Sequence, residues 1–271
     1  MTEETQHILS GGMELHRAGR LEEAQAAYQK VLAENPRHAD ALRLMGVLAY
    51  QLGQHEMAAQ LIGSAIDVNP LIAEYHSNQG LALQALGRSE QAVEAFRMAI
   101  SLQPAGEALA DAHYNLANAL KSQGKIAGAI DGYRAALGAK RNFPQAQNNL
   151  GNALKACGDL AGAIECYRAA IALDDTLIDA HNNLGNGLKA AGDLAGAIGA
   201  YRRVIGMQPE FAEGHYNLGN ALQAQGETEG AIAAYQECLR LKPDFAEALI
   251  NLGKALKDRG DAGSLDDSVA T

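Results

Sequence analysis

One interval governs this chain. Glycines stand at Gly19, Gly53, Gly87, Gly124, Gly158, Gly192, Gly226 and Gly260, and every step between them is 34 residues except one of 37, from Gly87 to Gly124. A second column, Ala24, Ala58, Ala92, Ala129, Ala163, Ala197 and Ala231, keeps the same beat. A fixed period of this length means one small element stacked many times. Its clearest copy is the stretch 148–171, which returns as 182–205 and 216–239 and, earlier, as 114–137.

Each repeat reads as two helices. Leu150 and Leu154, with the small Gly151, share one helical face before the glycine; Leu160, Ala163, Ile164, Tyr167 and Ile171 mark a second stripe after it. The glycine between suits the left-handed conformation that ends a helix at almost no steric cost. A loop follows, closed in five repeats by Pro36, Pro70, Pro104, Pro209 or Pro243, which cannot continue a helix. Neither helix buries its stripe alone, so the repeats must stack.

The pattern Leu-Gly-x2-Leu…Ala-x3-Tyr…Pro at this period resembles the tetratricopeptide repeat (TPR). The resemblance implies an all-α solenoid, a right-handed superhelix of antiparallel helix pairs. Seven full repeats begin near residues 5, 39, 73, 110, 144, 178 and 212, and an incomplete eighth near 246, in a single array over 1–262. One family feature is missing: the aromatic at the fourth position is replaced by His, Leu, Ile or Gln.

Composition narrows the partners. A net charge of −10 argues against nucleic acid and against an anionic membrane surface. No run of 18 apolar residues exists to span a bilayer, and the N-terminus lacks the basic and apolar regions of a signal peptide. Cys157, Cys166 and Cys238 are odd in number and include no Cys-x-x-Cys, which points to a reduced, cytoplasmic protein. Cys157 and Cys166 lie nine apart with no further ligands nearby and are expected to be buried. His76, His113, His181 and His215 recur at one position. Copies on helices about 8–10 Å apart cannot share a zinc ion whose ligands lie at about 2.1 Å, so packing is their expected role. No phosphate loop or nucleophile–base pair appears. The chain is not expected to be an enzyme or to carry a cofactor, although it could be the non-catalytic part of a larger one.

Along the chain the repeats differ. Leu44, Val47 and Tyr50 place apolar residues where later repeats carry amides, which gives either an anchor for a partner or a second copy, or a surface covered by Met1–Leu9. The three extra residues near Gly106–Leu109 should extend the next helix or bulge the loop before it. Repeats four to seven carry a further glycine inside the second helix, Gly128, Gly162, Gly196 and Gly230, at a cost of about 1 kcal/mol each relative to Ala. Residues 263–271 match the start of a second helix that stops before its aromatic. They read as an unfinished helix of a longer protein or as an acidic tail.

Function is expected on the face of the first helices that does not pack, which the TPR resemblance makes the concave groove. Asn78, Asn115, Asn149, Asn183, Asn217 and Asn251 form its central column, and Asn118, Asn152, Asn186 and Asn220 a second. Asp40, Glu74, Asp111, Asp179, Glu213 and Glu247 lie toward the helix starts; Lys121, Lys155, Lys189 and Lys257 lie toward the ends. Those charges also suit the helix dipole. Asparagine is a mediocre helix former, so six at equivalent places need a reason. An amide can match both the C=O and the N–H of a peptide backbone. With helices about 8–10 Å apart and an extended chain rising about 3.3 Å per residue, one rung would meet about every third residue of a ligand.

The Asn-Leu-Gly/Ala-Asn-Ala-Leu-Lys wording is similar to the TPR arm of O-GlcNAc transferases and their bacterial relatives, where an asparagine ladder holds the substrate polypeptide. It carries over to Asn115, Asn149, Asn183, Asn217 and Asn251, to Asn78 in a looser context, and fails at Ser10 and Leu44. Two functions follow. One is a scaffold binding an extended polypeptide; the other is the substrate-recruiting arm of a larger glycosyltransferase. Self-association through the array ends or the N-terminal patch is a further expectation.

Overall fold

The computed structural model describes residues 3–269, and side chains through residue 260. Among them are fifteen helices and no strand. The chain divides into two compact halves, Met1–Arg141 and Asn142–Thr271.

The N-terminal half holds four helix pairs: α1 (Glu3–Arg17) with α2 (Leu21–Glu34), α3 (Ala39–Gln51) with α4 (His55–Val68), α5 (Ala73–Ala85) with α6 (Ser89–Ser101), and α7 (Gly106–Ser122) with α8 (Ile126–Ala139). The C-terminal half holds α9 (Pro144–Ala156) with α10 (Leu160–Leu173), α11 (Ile178–Ala190) with α12 (Leu194–Met207), α13 (Ala212–Gln225) with α14 (Thr228–Leu241), and last α15 (Ala246–Val269).

Seven of the eight column glycines, Gly19 through Gly226, have φ between 72° and 86° and end the first helix of their pair. The chain then closes on itself: Gly158 N–H donates to the Lys155 carbonyl at 3.0 Å and Asp159 N–H to the Leu154 carbonyl at 3.0 Å. Gly260 differs, lying inside α15 instead of ending it. The unfinished helix expected over 263–271 falls in the stretch whose side chains lie outside the described residues.

Each pair is locked by one large side chain from its second helix. Tyr28, Ile62, Phe96 and Tyr133 in the N-terminal half, and Tyr167, Tyr201 and Tyr235 in the C-terminal half, are all but completely buried. Each of these side chains needs a hole in the facing first helix. A Cβ on Gly80 would stand 2.5 Å from the Phe96 ring, and one on Gly185 2.5 Å from Tyr201. In the fourth repeat the hole moves across the interface: Ala117 replaces the glycine, and Gly132 on α8 makes room for it, since a Cβ there would meet Ala117 Cβ at 2.9 Å. Small residues are therefore spent on packing, as overfilling such a contact costs about 1–3 kcal/mol.

The extra glycines of the second helices also find a reason. Asp159 and Asp193 cap α10 and α12, accepting from the N–H of Gly162 and Gly196 at 2.9 Å. A Cβ on either glycine would press into the capping carboxylate. Gly128 and Gly230 lie behind uncapped Lys125 and Glu227, and instead let Leu120 and Leu222 approach within 3.3 Å of the Cβ position.

The three inserted residues extend a helix. Gln103 takes a left-handed φ of 52° and Gly106 one of 58°, and α7 then runs 17 residues where α5 and α9 run 13.

The buried tyrosines set an alkaline limit. Burial pushes the Tyr167 and Tyr235 hydroxyls up to about 12, and those of Tyr133 and Tyr201 further. An unfolded tyrosine titrates near about 10. Above that pH the unfolded chain loses protons that the folded chain keeps. Stability is thus fully present below about pH 10 and is expected to drain between about 10 and 12. Denaturant midpoints measured across this range should be flat and then fall; a level profile through pH 12 would contradict it.

Candidate functional site

First helices pack side by side as well as against their partners: α1 with α3, α3 with α5 and α5 with α7 in one half, and α9 with α11, α11 with α13 and α13 with α15 in the other. In each half this makes one continuous first-helix face. The six central asparagines lie on it and are all half-buried.

The second asparagine column serves the buried tyrosines. Tyr133, Tyr167, Tyr201 and Tyr235 donate their hydroxyls to Oδ1 of Asn118, Asn152, Asn186 and Asn220, at 2.6, 2.8, 2.8 and 2.9 Å. A buried hydroxyl without an acceptor costs about 1–3 kcal/mol, and these amides remove that cost. The remaining repeats confirm the coupling. Where the locking side chain is Phe96 or Ile62, without a hydroxyl, the equivalent positions hold Leu81 and Val47. In the first repeat the place is Met13, and the Tyr28 hydroxyl meets His16 Nδ1 at 3.2 Å instead. These four asparagines, expected as peptide-binding rungs, each give Oδ1 to a core hydroxyl, and Asn118 also lines an open cavity on the face.

The central column is divided. Asn183 Nδ2 donates to Asn148 Oδ1 at 3.0 Å, and Asn217 Nδ2 to Asn182 Oδ1 at 3.1 Å, each tying one repeat to the one before. Asn251 Nδ2 donates to Asn220 Oδ1 at 2.8 Å. Asn149 is engaged as well. The paired words Asn148-Asn149 and Asn182-Asn183 already held this ladder between repeats, with the first residue as acceptor and the second as rung. An amide that gives one N–H keeps a second N–H and a carbonyl with two lone pairs. That remainder suits a peptide's N–H and C=O.

In the N-terminal half the face opens into two cavities that share Leu81 and Asn115. One, of 380 Å³, also takes in Tyr50, Gln84 and Asn118. The other, of 330 Å³, lies between α5 and the extended α7 and includes Asn78. Of the two outcomes expected for Leu44, Val47 and Tyr50, cover by the N-terminal segment is the one seen at Leu44. Leu44 is only 6% exposed and packs with Leu9, Tyr28 and Leu48, so α1 covers it. Tyr50 alone reaches the cavity, its ring 5.1 Å from that of His55. Leu81 sits where later repeats carry the second asparagine, in a third repeat that is transitional in sequence. Its departure from the column was the available signal.

Charge edges the face. Asp40 accepts from the Tyr75 hydroxyl at 2.7 Å, and Glu74 from Arg43 at 2.8 Å. At the other edge Lys121 and Lys189 are half-buried and Lys155 is exposed. Burial, and then the neighbouring Lys155, hold the Lys189 ammonium below its ordinary range. Lys189 therefore gains from an anion placed beside it.

The recurring histidines are staples. His76, His181 and His215 place Nε2 at 2.7, 3.0 and 2.8 Å from the carbonyls of Pro70, Asp175 and Pro209, six residues earlier, so Nε2 carries the proton and the loop is tied down. Among the described residues no three His, Cys, Asp or Glu side chains gather as a metal site, and no helix is long and apolar enough to cross a membrane. None of the three cysteines is in a disulfide. Cys238 is buried, and burial pushes its thiol up to about 11; Cys166 is half-buried. Cys157, expected inside, is exposed just past the end of α9.

Repeat-family models match along the chain. One described as "TPR repeat" covers residues 151–190, 185–226 and 219–260, and others described as "Tetratricopeptide repeat" cover 15–80, 73–105 and 110–143. The chain belongs to the tetratricopeptide repeat family. Over 91 residues this TPR protein is 30% identical to "Tetratricopeptide repeat protein 7B" of Homo sapiens, a match covering 34% of the chain and 11% of that relative. Over 82 residues it is 29% identical to the Mus musculus protein of the same name, covering 30% and 10%. The TPR chain thus spans about a tenth of these curated relatives. Among solved structures, PilW, a "widely conserved type IV pilus biogenesis factor", superposes with a TM-score of 0.72 at 20% identity, over 82% of this chain and all of that one. "YrrB: a TPR protein with an unusual peptide-binding site" gives 0.60 at 23%, over 70% and 97%. At these identities the likeness is one of fold. The finer likeness to the O-GlcNAc transferase arm goes beyond what these matches support.

Proposed function

We propose that this TPR array is a protein-interaction scaffold that binds an extended polypeptide on its first-helix face, through the backbone-matching amides of the central asparagine column. The observation that carries the reading is the placement of Asn78 and Asn115. Both line open cavities on that face, and Asn115 lines two at once. Asn149, Asn183, Asn217 and Asn251 form the corresponding column of the C-terminal half, where Asn183 and Asn217 each commit one N–H to the preceding repeat and keep the rest of the amide. TPR arrays serve as protein-interaction scaffolds, and YrrB, of the same fold, is described by its peptide-binding site. The net charge of −10 and three cysteines outside any disulfide favour a protein partner in a reducing, cytoplasmic setting.

The test is the triple variant Asn149→Ala, Asn183→Ala, Asn217→Ala, titrated against a labelled peptide selected from a random library. Each amide–backbone bond contributes about 0.5–1.5 kcal/mol net, so three lost rungs should weaken binding by at least about tenfold. The melting point should also fall, because Asn148 and Asn182 lose their donors. The control Asn148→Ala, Asn182→Ala breaks the same bonds between repeats from the acceptor side and should bind as the parent does. Unchanged affinity in the triple variant, or equal loss in the control, would show that the column only holds repeats together.

A further inference from the structure

The irregular step between Gly87 and Gly124 does more than lengthen α7. It sits beside the 330 Å³ cavity between α5 and α7, whose lining combines two kinds of surface. Leu81, Pro104 and Ala108 are apolar; Glu74 and Asp111 are exposed carboxylates from successive positions of the acidic column. Asn115 adds its amide. One column position earlier, Asp40 is already spent on the Tyr75 hydroxyl. Glu74 is held by Arg43 through one oxygen only, and Asp111 is felt at a distance by Lys140, whose direct partner is Glu107 at 2.8 Å.

We propose that this cavity receives a lysine or arginine side chain of the bound polypeptide. Such a side chain has an apolar stem and a charged tip. The stem fits against Leu81, Pro104 and Ala108, and the tip is served by Glu74 and Asp111, while the Asn115 amide meets the backbone at the same residue. An acidic side chain would face two like charges, and a purely apolar one would gain nothing from either carboxylate. The inference rests on the polypeptide-binding reading above and adds a specificity the ladder lacks. A backbone-matching ladder accepts any sequence. One basic pocket would fix where along the face a chain sits.

The experiment uses the whole chain and fluorescein-labelled Ala/Ser peptides that differ at one central residue: Lys, norleucine or Glu. Norleucine keeps the alkyl stem without the charge. By anisotropy titration at low salt, the Lys peptide should bind about tenfold tighter than the norleucine peptide, and the Glu peptide most weakly. The advantage should shrink as salt is raised, because both carboxylates are exposed. Glu74→Gln with Asp111→Asn should bring the Lys and norleucine peptides within about twofold of each other. Equal binding of Lys and norleucine by the parent overturns the pocket and leaves the polypeptide-binding face standing, as does an advantage that survives in the double variant. Failure of every peptide to bind overturns both.

Discussion

Asn152→Leu is expected to destabilise the C-terminal half by about 1–3 kcal/mol, a large cost for a half-buried surface residue. The substitution leaves the Tyr167 hydroxyl, buried with its ring, without the oxygen it reaches at 2.8 Å. Tyr167→Phe alone should cost less, about 0.5–1.5 kcal/mol, because the amide it abandons is only half-buried and can turn to water. The two changes together recreate the Phe–Leu combination that the third repeat carries as Phe96 and Leu81. Most of the Asn152→Leu loss should then return. Urea denaturation of the parent, both single variants and the double variant gives the coupling directly. Simple additivity would mean that the second asparagine column is not there for the tyrosines.

The repeat, its two helices and the glycine-ended turns could be read from spacing alone, because a column of glycines at fixed intervals has few physical meanings. The first helices' inner face could be read too. What could not be read was how its amides are shared out. Asn152 and Asn149 look alike in the sequence, yet one answers a buried hydroxyl 15 residues on, and the distinction needs the path of the Tyr167 ring. The clue was present as a correlation: in repeats four to seven asparagine accompanies tyrosine, and in the two repeats before them leucine or valine accompanies phenylalanine or isoleucine. Leu44 left two alternatives open for a related reason. Its column is open in later repeats, but in the second repeat α1 packs over it. Gly260 kept the period without ending a helix, since a glycine permits a left-handed turn and does not compel one.

The largest effect on binding is expected from changing the ligand and leaving the protein alone. If the face reads backbone, a peptide whose central amides are replaced by backbone esters keeps every side chain and loses its N–H donors. The carbonyls of Asn183 and Asn217, whose amides already give one N–H to the repeat before, would then have nothing to accept. With about four rungs at about 0.5–1.5 kcal/mol each, affinity should fall at least about thirtyfold. A peptide of the same composition, scrambled around a basic residue kept in place, loses no donor and should bind within about threefold of the original. The most direct measurement is therefore one anisotropy titration of the parent chain with three ligands: the selected peptide, its scrambled form and its ester form. The account predicts that the first two bind alike and the third is lost. Tight binding of the ester form, with loss of the scrambled one, would show that side chains are what the face recognises and would contradict the ladder.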